Sequence, residues 1–400
     1  MLHFLANPGW RSAWLGGLAS TLLLLAPAVA QTAPGENQTV PIEAENGFLQ
    51  NQGAHPRFQA ATKVSSETLA AVLQQRAATI PHFSGSFSAE GKAFPYTMVG
   101  TPPQAGGTTQ IPTQIIAVSL LFEGVLDKDG EPIILDPGPV LTRIQGSPNF
   151  RPYSYQTGLT QFADAVQRAQ FFKAMNPDWH TLLGAPERLL PVTIDVQAGM
   201  AKVYRNRSSG VTYAVVDTRF FLSQLNTIVQ LERLRPDALV LILTNNVFLA
   251  PQADVKQCCL LGFHTAFASG QTRRTQQVQT LVWASWVEQG LFGSSIGDVT
   301  PMSHEISEWM NNPFGVNVVP AWQPVGGSAG CQTNLETADP VAALPNAGFP
   351  VNLDGFTFHP QIEVLLPWFA RQGAQDSIDG ALSFPDETLV TEVSRPCTVP

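Results

Sequence analysis

Charge is scarce in this sequence. Asp, Glu, Lys and Arg together make up only 13% of the 400 residues, and the balance is acidic, with a formal net charge of −9. A chain so poor in basic residues lacks the electrostatic footprint of a nucleic-acid binder or of a protein held on an anionic membrane. Cysteine is missing before residue 258, and no CxxC pair occurs, which removes the usual four-thiolate zinc framework. There is no GxGxxG fingerprint and no P-loop string, so the common dinucleotide and nucleotide readings lose their anchors. Beyond the N-terminus no apolar run approaches the length of a membrane-spanning helix.

What is present begins with a segment containing Arg11, an apolar run from Leu15 to Ala26 and the small-residue pattern Ala28-Val29-Ala30. That order reads as a secretory signal peptide over residues 1–30, cut before Gln31 and leaving a mature chain with no membrane attachment. Apolar residues at 44%, with 32 Gly and 32 Pro, fit an ordered, loop-rich exported protein rather than a disordered or coiled-coil one. The cysteines are Cys258, Cys259, Cys331 and Cys397. In an exported protein an even count reads as two disulfides, here with each of the adjacent pair reaching to Cys331 or Cys397.

The expected fold class is α+β, with a loop-rich N-terminal segment over 31–110 and the main domain over 111–400. One helix is expected near Ser65–Ala78, with Leu69, Val72 and Leu73 as its apolar stripe. "IIAVSLLFEGVLDKDGEPIIL" reads as a hairpin turning at Gly130, and "TQFADAVQRAQFF" spaces its apolar residues as an amphipathic helix. "FFLSQLNTIVQLERL" is a second such helix, stopped before Pro236. "ALVLILTNNVFLA" reads as one strand buried on both faces, and Val278–Trp286 as an alternating strand and possible edge for an extended peptide.

The chemistry concentrates in "SHEISEWMNNP", Ser303–Pro313. Thr300 is the expected N-cap, Pro301 suits the first helical position, and Asn312-Pro313 ends the helix. His304 and Glu308, four residues apart, then project from one face. Two ligands at this spacing with a glutamate beside the first are what a metallopeptidase helix carries, the glutamate taking a proton from the attacking water. Glu305 fills that base position, and Glu308 stands where the second histidine of HExxH would be. Further ligation falls to "LETAD": Glu336 ranks as third ligand, with Asp339 as its alternative or as the acceptor that orients His304. The plain alternative is a charged helix without a metal, since glutamates at this spacing are commonly solvated.

Backing helix, buried strand, alternating strand, "HEISE" helix and "LETAD" together resemble the zincin-type metallopeptidases, in the branch whose third ligand is a later glutamate. A similar HExxE followed by Asn/Asp-Pro marks exported bacterial proteins of unassigned function and the EXORDIUM-like phosphate-induced secreted proteins of plants. "GLTQFADAVQRAQFF" and "FHPQIEVLLPWF" are similar to blocks of the bacterial group, and the resemblance spans about residues 110 to 370. It implies a zincin-like domain with a mixed sheet and an active-site helix. It also implies His304 and Glu308 as ligands, Glu305 as base, and Glu336 or Asp339 as the remaining ligand. Zn²⁺ is the first expectation, and the extra carboxylate makes Mn²⁺ or Ca²⁺ competitive while weakening Lewis acidity. His359 is a further candidate, as oxyanion donor or fourth ligand, against a packing role; His264, beside the adjacent cysteines, is another, whereas His180 reads as a loop or helix-end residue. The implied activity is hydrolysis of a peptide or protein substrate. The alternative is a secreted non-catalytic binding protein on the same fold, with a structural or lost metal.

Overall fold

The computed structural model describes residues 79–399 except 232–233, 270–276, 294–295, 327–329 and 373–375, together with the short segments Leu2–His3, Glu43–Glu45, Ala60–Lys63 and Ser66–Leu73. The expected signal peptide lies outside these apart from Leu2–His3, which pair with Thr193 and Ile194. The fold is α+β, with mixed parallel and antiparallel sheets.

The main sheet runs, in spatial order, through Val192–Val196, Thr113–Leu126, Leu239–Asn245, Gln277–Trp286, Gly262–Ser269 and Ala60–Lys63. The first four are mutually parallel; Gly262–Ser269 is antiparallel to Gln277–Trp286 and pairs parallel with Ala60–Lys63. The anticipated hairpin is present, Thr113–Leu126 pairing with Pro132–Leu135 around Gly130.

Alternation along these strands sends side chains into two separate cores. Leu239, Leu241, Leu243, Val278, Val282 and Ala284 join one core with Ile306, Trp309 and Met310. Val240, Ile242, Leu281 and Trp283 join the other with Phe221, Leu225 and Ile228. The first face is covered by helices Phe162–Gln170 and Thr300–Asn311, the second by helix Thr218–Leu231 and by Ala201–Asn206, Thr212–Asp217 and Val247–Ala250 of a smaller sheet. The N-terminal helix is seen as Ser66–Leu73, with Leu69 and Val72 in the first core. Within the N-terminal segment, His82–Ala89 and Lys92–Val99 form a hairpin.

Three local expectations are corrected. The apolar run 238–250 is two strands: Asn246 takes a left-handed φ of 52°, which asparagine tolerates, and the chain passes from the main sheet to the smaller one. Gln277–Trp286 is interior and buried on both faces, not an alternating edge, because Gln279, Thr280 and Ser285 are buried with hydrogen bonds. Disulfides join Cys258 to Cys259, across a cis peptide, and Cys331 to Cys397, so neither of the adjacent pair reaches the C-terminal cysteines. Cys258 and Cys259 are instead sealed in an apolar cluster with Tyr213, Phe248 and Phe292. Cys331–Cys397 ties residues 66 apart in sequence, a closure worth about 4 kcal/mol by loop entropy.

Candidate metal centre

Helix Thr300–Asn311 carries the motif, and all twelve of its residues are buried. Side-chain amides close its carbonyl end. Gln167 Nε2 donates to Met310 O at 3.1 Å, and Asn317 Nδ2 to Asn311 O at 2.7 Å. Gln170 Nε2 donates to Asn311 Oδ1 at 2.6 Å. At the other end Thr300 is not the N-cap; Val299 holds that position. The Thr300 hydroxyl lies 2.7 Å from both Gly297 O and His359 O, so it ties the helix to the preceding turn and to the later chain.

Because this helix lies under strands Gln277–Trp286 and Gly262–Ser269, His304, Glu305 and Glu308 meet a residue from the strand, His264. His264 Nδ1 is 3.1 Å from Glu305 Oε2 and 3.8 Å from Glu308 Oε2. His304 Nε2 is 3.2 Å from Glu308 Oε2 and 3.6 Å from Asp339 Oδ1. Two triads of potential ligand atoms result, His264–Glu305–Glu308 and His304–Glu308–Asp339, each with its atoms within 4.8 Å of one another. Glu308 belongs to both.

The segment after Cys331 completes the pocket. The amides of Ala338 and Asp339 donate to Glu308 Oε1 at 3.1 and 3.2 Å, which leaves Oε2 facing the two imidazoles. Glu336 Oε1 accepts from Asn334 Nδ2 and Asn312 Nδ2, while its Oε2 stands 4.0 Å from His264 Nε2. Gln361 Oε1 lies 3.0 Å from His304 Nδ1 and accepts its proton, and Gln361 Nε2 donates to Ala338 O at 2.6 Å. The acceptor that orients His304 is therefore Gln361; Asp339 faces the other ring nitrogen, on the ligand side.

Burial and crowding set the protonation of this group. Burial pushes the His264 imidazole down to about 4, against the pull of Glu308. Burial works the same way on His304, but Glu308 and Asp339 outweigh it and raise that imidazole. For Glu308, burial favours the acid, yet His304 and His264 overcome it and bring the carboxyl to about 2. Burial, then the negative charge of Glu308, lifts Asp339 to about 7 and Glu336 well above the usual carboxylate range. Glu363, fully buried, is pushed up by the same two causes.

A divalent cation fits these residues. His264 Nε2, Glu308 Oε2 and Glu336 Oε2 are buried without a partner in hydrogen-bond geometry, and the opposite groups approach them only at 3.2 to 4.0 Å. Lone pairs converging at such spacing, in a pocket crowded with carboxyls, are costly unless protons or a cation gather them, and a cation does so for several at once. His304, Glu305, Glu308 and Asp339 thus lie together, with Glu336 buried 4.0 Å from His264. His359 stands elsewhere. Its Nδ1 is 2.7 Å from Asp298 Oδ2, its ring is 25% exposed, and Asp298 raises its pKa. His180 is bound to buried Asp164 at 2.7 Å, at the start of strand His180–Leu183.

The site is closed: the side chains of His264, His304, Glu305 and Glu308 have no exposed area, and only Asp339, at 19%, reaches solvent. Two surface cavities, one near Trp368 and Leu389 and one near Phe349 and Glu387, are lined by none of these residues. Comparison of the chain with protein-family models, curated proteins and solved structures finds no match.

Proposed function

We propose that the chain is an exported, metal-dependent hydrolase with a zincin-like domain, acting on peptide bonds. The observation that carries this reading is the convergence of His304, Glu308 and Asp339 beside a fourth group, Glu305, which lies outside that triad. A divalent cation held by the three would supply Lewis acidity and acidify a water molecule. Glu305 is the proton acceptor for that water, held by His264 at 3.1 Å. Gln361 fixes the ring of His304, and the Ala338 and Asp339 amides fix Glu308, so neither ligand has to reorganise. Zn²⁺ remains the first choice of ion, and the carboxylate share of the set favours Mn²⁺ or Ca²⁺ more than a two-histidine helix would. Two disulfides and the absence of a membrane-spanning helix among the described residues are compatible with export.

Closure of the pocket supports a second reading. A cation ringed by protein groups, with only Asp339 reaching solvent, has the form of a structural site, and the protein would then be a secreted binding protein. Glu305→Gln decides between them in the metal-loaded protein. As a hydrolase, it keeps the cation on His304, Glu308 and Asp339 and loses about 100-fold or more in cleavage of a peptide library. A loaded wild type that cleaves nothing in such a library supports the structural cation.

A further inference from the structure

We infer that the pocket is a two-ion centre, with one divalent cation on His304, Glu308 and Asp339 and a second on His264, Glu305 and Glu308. The inference rests on the metal-centre reading above and extends it.

The ligand atoms fall into two triads, not one, and the two have the same make-up. Each has one imidazole, one carboxylate of its own and the shared Glu308. Glu308 Oε1 is taken by the amides of Ala338 and Asp339, so Oε2, within 3.8 Å of both imidazoles, is the atom placed to bridge. His304 also has an acceptor for its other ring nitrogen, the arrangement that fixes the tautomer of a ligating imidazole. Gln361 Oε1 lies 3.0 Å from His304 Nδ1, whereas the other ring nitrogen of His264 faces Glu336 Oε2 at 4.0 Å, beyond hydrogen-bond reach.

Charge balance points the same way. Glu305, Glu308, Glu336 and Glu363 are buried and Asp339 nearly so, five carboxyls against two imidazoles. Fully ionised, these five carboxyls carry more charge than one divalent cation balances, and a second would offset most of the remainder. Mixed carboxylate and imidazole ligation suits Mn²⁺ as well as Zn²⁺, and paired ions about 3.5–4 Å apart are a known hydrolytic arrangement. Glu305 enters the second triad through Oε2, so its other oxygen can still accept a proton.

The test uses the full mature chain, stripped with a chelator and reloaded with Mn²⁺. Two Mn²⁺ per chain with the electron paramagnetic resonance spectrum of an exchange-coupled pair are expected. One Mn²⁺ with the six-line spectrum of an isolated ion overturns the pair and leaves the single-ion reading standing; no Mn²⁺ overturns both. Two ions without coupling contradict the shared Glu308. His264→Asn is expected to lower the stoichiometry from two to one and abolish the coupling, and retention of a coupled pair refutes the assignment of His264. If that variant does not fold, as judged by circular dichroism, the wild-type spectrum alone decides.

Discussion

His264 and Glu305, 41 residues apart in sequence, meet at 3.1 Å across the contact between a strand and the motif helix. The approach is possible because residue 262 has no side chain. A Cβ on Gly262 would stand 2.6 Å from Glu305 Cγ, closer than packed atoms tolerate. Gly262→Ala should therefore displace Glu305 or push the strand from the helix, at a cost of about 1–3 kcal/mol. Urea denaturation measures it; an unchanged midpoint would show that the strand-helix spacing is slack.

Gln361 acts on the centre through His304. Its amide oxygen holds His304 Nδ1 at 3.0 Å and its amide nitrogen holds Ala338 O, so one side chain spans the helix and the "LETAD" segment. Gln361→Ala should weaken cation affinity about 10–100-fold, while Gln361→Glu, which keeps an acceptor, should lose less. Competition with a chromogenic chelator reads both.

The legible part of this centre is the part written locally. Helical spacing places His304 and Glu308 on one face, and the structure keeps them 3.2 Å apart. His264 gives no such signal, since a lone histidine in an apolar strand acquires its neighbours only when the sheet registers over the helix. Gln361 gives less still, because an amide becomes a histidine's partner only through tertiary packing. The same limit explains Gln277–Trp286. Its polar residues read as a wet face, but partners such as Trp309 Nε1 on Thr280 Oγ1 at 2.9 Å satisfy them in the interior. The break at Asn246 was readable in principle, since asparagine is among the few residues that accept a left-handed φ.

His359 gives the molecule a pH dependence away from the metal centre. Its hydrogen bond to Asp298, opposed by partial burial, raises the imidazole above its ordinary 6.5. A raised folded-state pKa means that the protonated imidazole stabilises the fold. That contribution is complete below 6.5 and disappears as pH rises through the folded-state value. His359→Gln should thus narrow the stability difference between pH 6 and alkaline pH, by about the shift seen in the wild-type imidazole titration. A wild-type His359 midpoint below 6.5 by NMR would contradict the Asp298 pairing as the dominant influence.

Metal content of the protein, purified without chelator, reads the cation centre most directly. The expected result is at least about one divalent ion per chain, lost in Glu308→Gln, with chelation lowering thermal stability and excess metal restoring about 2.7 kcal/mol at a hundred times the dissociation constant. A metal-free protein whose melting temperature is indifferent to chelator and to added Zn²⁺ and Mn²⁺ would contradict it, and would reduce the buried histidines and carboxyls to a hydrogen-bonded core.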